Sequence, residues 1–124
     1  VLILWDGENA GSASTGHVGA IGSTVAKLSL NQKLNNYYLF YLLVADNYKL
    51  REIREGSGIP HMPSDFEDWY LLNLPPLEEQ IAIVNILRTA DKEISLLKQK
   101  LEAYKEQKKG LMQVLLTGKV RLKV

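Results

Sequence analysis

Between Ile83 and Leu115 the side chains follow a spacing that alternates four and three. The positions are Ile83, Leu87, Ala90, Ile94, Leu97, Leu101, Tyr104, Lys108, Leu111 and Leu115, and only Lys108 breaks the apolar run. Such an a/d heptad, sustained over more than three repeats, specifies a long amphipathic helix with a coiled-coil seam. Pro76 suits the first turn, where its missing N–H costs nothing. Glu78 and Glu79 then set negative charge at the positive end of the helix dipole. The pairs Lys98/Glu102, Glu102/Lys105 and Glu106/Lys109 support a solvated helix by a few tenths of a kcal/mol each. Gly110 costs about 1 kcal/mol relative to Ala and permits a kink, and Thr117-Gly118-Lys119 reads as the stop. From Leu77 to Leu116 the rod would be about 60 Å long at ~1.5 Å per residue.

A single apolar stripe of that length cannot be buried on the ~75 residues that precede it, and the chain offers no second helix to match. The spacing therefore predicts self-association, or docking on another protein's helices. A helix folded back over its own domain is the competing reading.

The charge divides at the same place as the composition. Of the 124 residues, those from Val1 to Pro75 carry five bases and eight acids, a balance of −3; those from Pro76 onward carry ten bases and six acids, a balance of +4. Two unlike pieces are expected, 1–75 and 76–124, and the net charge of +1 is only their sum. With no cysteine, a disulfide scaffold, a Cys-ligated zinc site and thiol catalysis are excluded. No apolar run approaches the ~18–20 residues of a membrane span and nothing at the start reads as a signal peptide. The expectation is no membrane and a cytoplasmic location.

The first piece mixes elements. Val1–Trp5 is β-prone and stops at the turn signal Asp6-Gly7, and its abrupt start suggests a chain that begins inside a strand. Gly7–Gly22 is rich in Gly, Ala and Ser and reads as loop. Thr24–Leu30 alternates, with Ala26, Leu28 and Leu30 on one side. Asn35-Asn36 can cap a helix from Tyr37 to Ala45 that carries Tyr38, Tyr41, Leu42 and Ala45 on one face. A second short helix, Tyr48–Arg54, closes at Gly56-Ser57-Gly58, and Ile59–Met62 and Trp69–Leu72 read as extended. Without a βαβ rhythm the fold class is α+β.

Chemistry is harder to find. Asp6 and Glu8 are a possible carboxylate pair for acid/base work or magnesium, and equally ordinary turn chemistry. Gly16, Gly19 and Gly22-Ser23-Thr24 suggest a phosphate cradle, but the lysine of a P-loop is missing. His17 and His61 lack an acid at metal-ligand spacing. Trp5, Trp69 and Tyr37/Tyr38/Tyr41 are more often core than base-stacking platform. No catalytic centre, metal or cofactor is expected.

One resemblance covers the whole chain. Leu74-Pro75-Pro76-Leu77-Glu78-Glu79-Gln80-Ile81-Ala82 resembles the L-P-P-L-x-E-Q-x-x-I segment of specificity subunits of type I restriction-modification enzymes. The run Leu97–Lys105, continued by Lys108–Gln113 and by Leu115–Arg121, is similar to the family's spacer helix. Trp5-Asp6-Gly7-Glu8-Asn9-Ala10-Gly11 resembles its W-D-G-x-x-A-G turn, and Gly19–Thr24 and Gly56–His61 resemble two further blocks in the same order.

The resemblance implies a non-catalytic subunit. Two target-recognition domains each read half of a split double-stranded DNA sequence, separated by helices that act as a ruler and as the assembly surface for methylation subunits. Cleavage would belong to a restriction subunit. This chain would hold part of one recognition domain, its N-terminal part absent, and one spacer helix. Two copies would pair as a homodimer through Ile83, Leu87, Ile94, Leu97, Leu101, Tyr104 and Leu111. Reading would rest on loop contacts to base edges and phosphates. Asn9 can offer a bidentate amide to adenine, Ser23 or Thr24 can bond phosphate, and Gly11 can let the backbone approach closely. Lys27 would supply charge, as would Lys49, Arg51 and Arg54, and His61 lies in a matching block. Turn formation for Asn9 and strand entry for Ser23 are equally compatible with the sequence. The alternative is an oligomerising structural fragment without DNA binding.

Overall fold

The computed structural model describes residues 1–29 and 33–123, and Trp69 by its backbone alone. Three strands, β1 (Leu2–Leu4), β2 (Ala13–Ser14) and β3 (Val25–Lys27), form an antiparallel sheet ordered β2-β1-β3. Leu2 pairs with Ser14 on one side and with Lys27 on the other. Helices α1 (Asn36–Ala45), α2 (Asn47–Glu52), α3 (Phe66–Trp69) and α4 (Leu77–Leu115) follow. The class is α+β, ending in one long helix.

Alternation sorts the two faces of the sheet. Ile3 is fully buried, and Ala13, Ala26 and Leu28 pack with it against Leu39, Leu43, Leu50, Met62 and Phe66. Leu30, the next position of that stripe, lies outside the described residues. β2 occupies two residues of the segment expected to be mostly loop. A strand of two residues is too short to show period two, and pairing with β1 alone defines it.

Asn35 caps α1 as expected, its side-chain oxygen accepting from the Tyr37 and Tyr38 amides at 2.9 and 3.2 Å. The face that α1 buries is Leu39 and Leu43, neither of them on the expected Tyr38/Tyr41/Leu42/Ala45 face. Nearly every α1 side chain is apolar, so the pattern offers no polar side to discriminate by. Residues 66–69 form a helical turn where an extended segment was expected at 69–72. Burial of Phe66, stacked on Tyr70 at 5.0 Å, fixes that turn.

The chain forms two units, Val1–Asn85 and Ile86–Val124. α4 starts within the first, where Gln80 and Val84 are buried. Gln80 is fully enclosed. Its Oε1 accepts from the Asn35 amide at 2.8 Å, and its Nε2 donates to the Lys33 and Pro75 carbonyls at 3.0 and 2.9 Å. One side chain thus ties the first turns of α4 to the cap of α1 and to the turn before Pro76. Within the second unit, helical structure runs through Gly110 and ends where Gly118 takes φ +72° and its amide donates to the Leu115 carbonyl.

Asp46 joins α1 to α2 and holds Tyr70, whose hydroxyl donates to it at 3.0 Å, while Lys49 pairs with it at 2.7 Å. The Lys49 hydrogen bond, the largest influence, outweighs the opposing push from burial, and with lesser help from the Tyr70 hydroxyl it holds the carboxyl below the ordinary 3.8. Burial and the same hydrogen bond push the Tyr70 phenol up. A carboxylate whose pKa is depressed on folding adds stability that is complete above its unfolded value and lost as pH falls through the folded one. Asp46→Asn is therefore expected to lower the urea midpoint at neutral pH. The gap from the parent chain should narrow steadily once pH drops below 3.8; a constant gap across that range would refute the linkage.

Candidate nucleic-acid interface

The end of β1 gathers three loops. The Trp5 amide donates to the Thr24 carbonyl at 2.8 Å, and the Met62 amide donates to the Trp5 carbonyl at 2.8 Å. Two residues on, the Gly7 amide donates to the Pro60 carbonyl, also at 2.8 Å. Residues 7–11, 22–24 and 60–62 therefore leave from one place, brought there by backbone pairing.

Of the expected reading residues, Asn9, Ser23 and Thr24 are exposed on two of these loops, and His61 is partly exposed on the third. Asn9 sits in a tight turn: the Ala10 amide donates to the Gly7 carbonyl at 2.9 Å and Ser12 to the Asn9 carbonyl at 3.0 Å. The Thr24 carbonyl is engaged with Trp5, while the residue as a whole is exposed. His61 exchanges both backbone hydrogen bonds with Glu55, at 2.9 and 3.0 Å, and its Nε2 lies 3.7 Å from the Glu55 carboxylate. Gly56 makes this closure possible. It adopts φ +96°, and a Cβ there would meet the Ile59 carbonyl at 2.6 Å and the His61 ring at 3.0 Å.

The other expected residues lie elsewhere. Gly11 is buried, and the close approach it permits is inward: at φ +86°, a Cβ would come to 3.1 Å from Leu50 and 3.4 Å from the Met62 sulfur. Lys27 is exposed at the far end of β3, opposite Leu2. There the outer sheet face, with Leu2, Leu4, Val25 and Lys27, and the loop from Thr15 to Gly22 enclose an open groove of about 820 Å³. Arg54 is held by backbone, donating to the Arg51 and Glu8 carbonyls at 2.9 and 2.6 Å. Arg54 thereby braces the Asn9 loop, a role that its position in the sequence did not announce. Lys49 is paired with Asp46.

The expected seam lies on α4. Leu97, Leu101 and Tyr104 are 58%, 53% and 56% exposed, and Leu87, Ile94 and Leu111 are likewise exposed, while Ile83 is half-buried. Among the described residues no His, Cys, Asp and Glu side chains gather in threes as a metal site requires. No described helix is long and apolar enough to cross a membrane.

Residues 1–106 match the family described as the type I restriction modification DNA specificity domain. The chain belongs to that family. It is 38% identical over 118 residues to the type I restriction enzyme MjaVIII specificity subunit of Methanocaldococcus jannaschii, covering 94% of this chain and 28% of the relative. It is 33% identical over 104 residues to the MjaX specificity subunit of the same organism, covering 83% and 24%. The chain thus spans about a quarter of the length of these relatives. No solved structure matches it. In this specificity domain the blocks that resemble the family coincide with structural joints. Trp5–Gly11 is the end of β1 and its turn, Gly19–Thr24 is the entry to β3, Gly56–His61 is the closed Glu55–His61 loop, and Leu74–Ala82 contains Gln80.

Proposed function

We propose that the chain is a non-catalytic DNA-reading part of a type I specificity subunit. Asn9, Ser23, Thr24 and His61 address base edges and phosphates from the three loops at the end of β1, and Lys27 adds a phosphate contact. The observation that supports this most is the convergence of those loops on one strand end in a chain of the DNA specificity family. Methyl transfer and cleavage fall to the methylation and restriction subunits of the full complex, with which α4 assembles.

α4 also pairs with a second copy along Ile83, Leu87, Ile94, Leu97, Leu101, Tyr104 and Leu111. The seam is flanked by Glu79, Asp91 and Glu93 in its first part and by Lys98, Lys100 and Lys105 in its second. Antiparallel pairing sets the acidic flank of one copy against the basic flank of the other, whereas parallel pairing places Lys100 beside Lys105. Parallel pairing also places Glu93 beside Lys98, so the flanking charges are compatible with either orientation.

Selection from a random duplex pool tests the reading. A recovered consensus half-site is expected, with the Asn9→Ala variant losing roughly 1–3 kcal/mol of discrimination at one position. Recovery of no consensus at any salt concentration would leave the chain as an oligomerising fragment without sequence reading.

A further inference from the structure

From Lys98 to Lys123 the chain carries eight bases and two acids, and every one of those charged side chains is exposed. Lys98, Lys105 and Lys109 are separated by seven and four residues, so on a helix of 3.6 residues per turn they share one face. That lane covers about 16 Å along the axis at ~1.5 Å per residue. It lies beside the heptad seam and not on it. Beyond the helix, Lys119, Arg121 and Lys123 alternate with Val120 and Leu122 in a segment without regular structure.

We infer that this lane and tail form a second, sequence-independent contact for the phosphates of duplex DNA. The two acids do not neutralise it. Glu102 and Glu106 each meet one lysine, Lys105 at 2.7 Å and Lys109 at 3.9 Å. Exposed pairs of this kind are worth little and exchange readily for phosphate. The reader cannot supply the long-range attraction, because Val1–Pro75 is acidic overall. Non-specific duplex affinity comes from neutralised phosphates and released counterions, and here the surplus of positive charge lies in the last third of α4 and the tail. A run of lysines on one helix face meets phosphates spaced about 3.4 Å per strand along the duplex axis. The lane ends where Met112 and Leu116 take over the same face.

The setting rests on the reading of the chain as a DNA-specificity protein, but the contact is tested separately. Binding of a short duplex of arbitrary sequence is measured for the whole chain from about 50 to 200 mM salt. The variant Lys98→Gln/Lys105→Gln/Lys109→Gln is expected to flatten the slope of log K against log salt by about 2 to 3, since each phosphate contact contributes ~0.9. Lys108 is left in place because it lies on the seam, and circular dichroism and sedimentation check that helix and dimer persist. An unchanged slope would overturn the inference. So would equal flattening by Lys27→Gln, which would place the charge contact in the reader. Binding to phosphatidylserine vesicles without binding to the duplex would also overturn it. Duplex binding through the lane without any selectable consensus would sink the reader and leave the lane standing.

Discussion

Replacing Gln80 by alanine is expected to cost the first unit about 3 kcal/mol or more. The side chain is wholly buried and meets three backbone groups: the Asn35 N–H and the Lys33 and Pro75 carbonyls. Truncation removes the glutamine from all three, and the part-buried Asn35 and Pro75 groups, left without it, cost roughly 1–3 kcal/mol each. The asymmetry is informative. Gln80→Leu keeps the volume but loses the same three hydrogen bonds, so it should fare little better than alanine. Gln80→Glu keeps the acceptor toward Asn35 while aiming a carboxylate oxygen at two carbonyls, and it is expected to be the worst of the three at neutral pH. Urea unfolding followed by near-ultraviolet circular dichroism measures the loss. An alanine variant with the parent midpoint would show that the glutamine is replaceable by water, and that the tie between α4 and the cap of α1 is not needed.

The second large effect is on assembly. In Leu97→Lys/Leu101→Lys, two seam leucines of each copy become charged. Fully burying an exposed leucine contributes roughly 1.5–3 kcal/mol, and Leu97 and Leu101 are 58% and 53% exposed, so on the proposed pairing four leucines account for about 3 to 6 kcal/mol. Lysine at adjacent seam layers adds like-charge repulsion to that loss. On the proposed pairing, sedimentation should report a dimer for the parent chain and a monomer for the double variant at the same concentrations. Leu96→Lys is the control, because Leu96 is 55% exposed but lies off the heptad. If both variants behave alike, or the double variant remains dimeric, the interface is somewhere else.

How far the sequence could be read follows from which physical signal each element carries. The long helix is legible to within a residue at each end, because a heptad sustained from Ile83 to Leu115 leaves no competing period, and Pro76 and Gly118 mark its limits. The α1 cap is legible because Asn35 acts on amides two and three residues away. β2 and α3 are not, since two and four residues carry no period, and tertiary pairing or the burial of Phe66 decides them. The loops that carry Asn9, Thr24 and His61 appear in the sequence as separate blocks. Only the backbone bonds of Trp5 and Gly7 bring them together. Gly11 shows the converse: its φ and its burial come from packing against Leu50 and Met62, and composition alone does not tell a core-facing glycine from one that faces a ligand. Gln80 enters the sequence as one letter of the L-P-P-L-x-E-Q block, and that three segments are fastened through it is visible in the fold and not in the spacing.

The exposed length of α4 has a consequence for how folded this protein is at any moment. Beyond Ile86 nearly every helical side chain faces solvent, and an isolated helix in water draws only marginal stability from its own hydrogen bonds. If a second copy occupies the seam as proposed, it supplies what holds those turns shut, and mass action governs it. Amide exchange and proteolytic nicking along residues 90–115 should slow as protein concentration rises, while the same measures on the sheet around Ile3 stay constant. On the proposed pairing, how much protein is present sets how much of the stretch from Ile86 to Leu115 is helix.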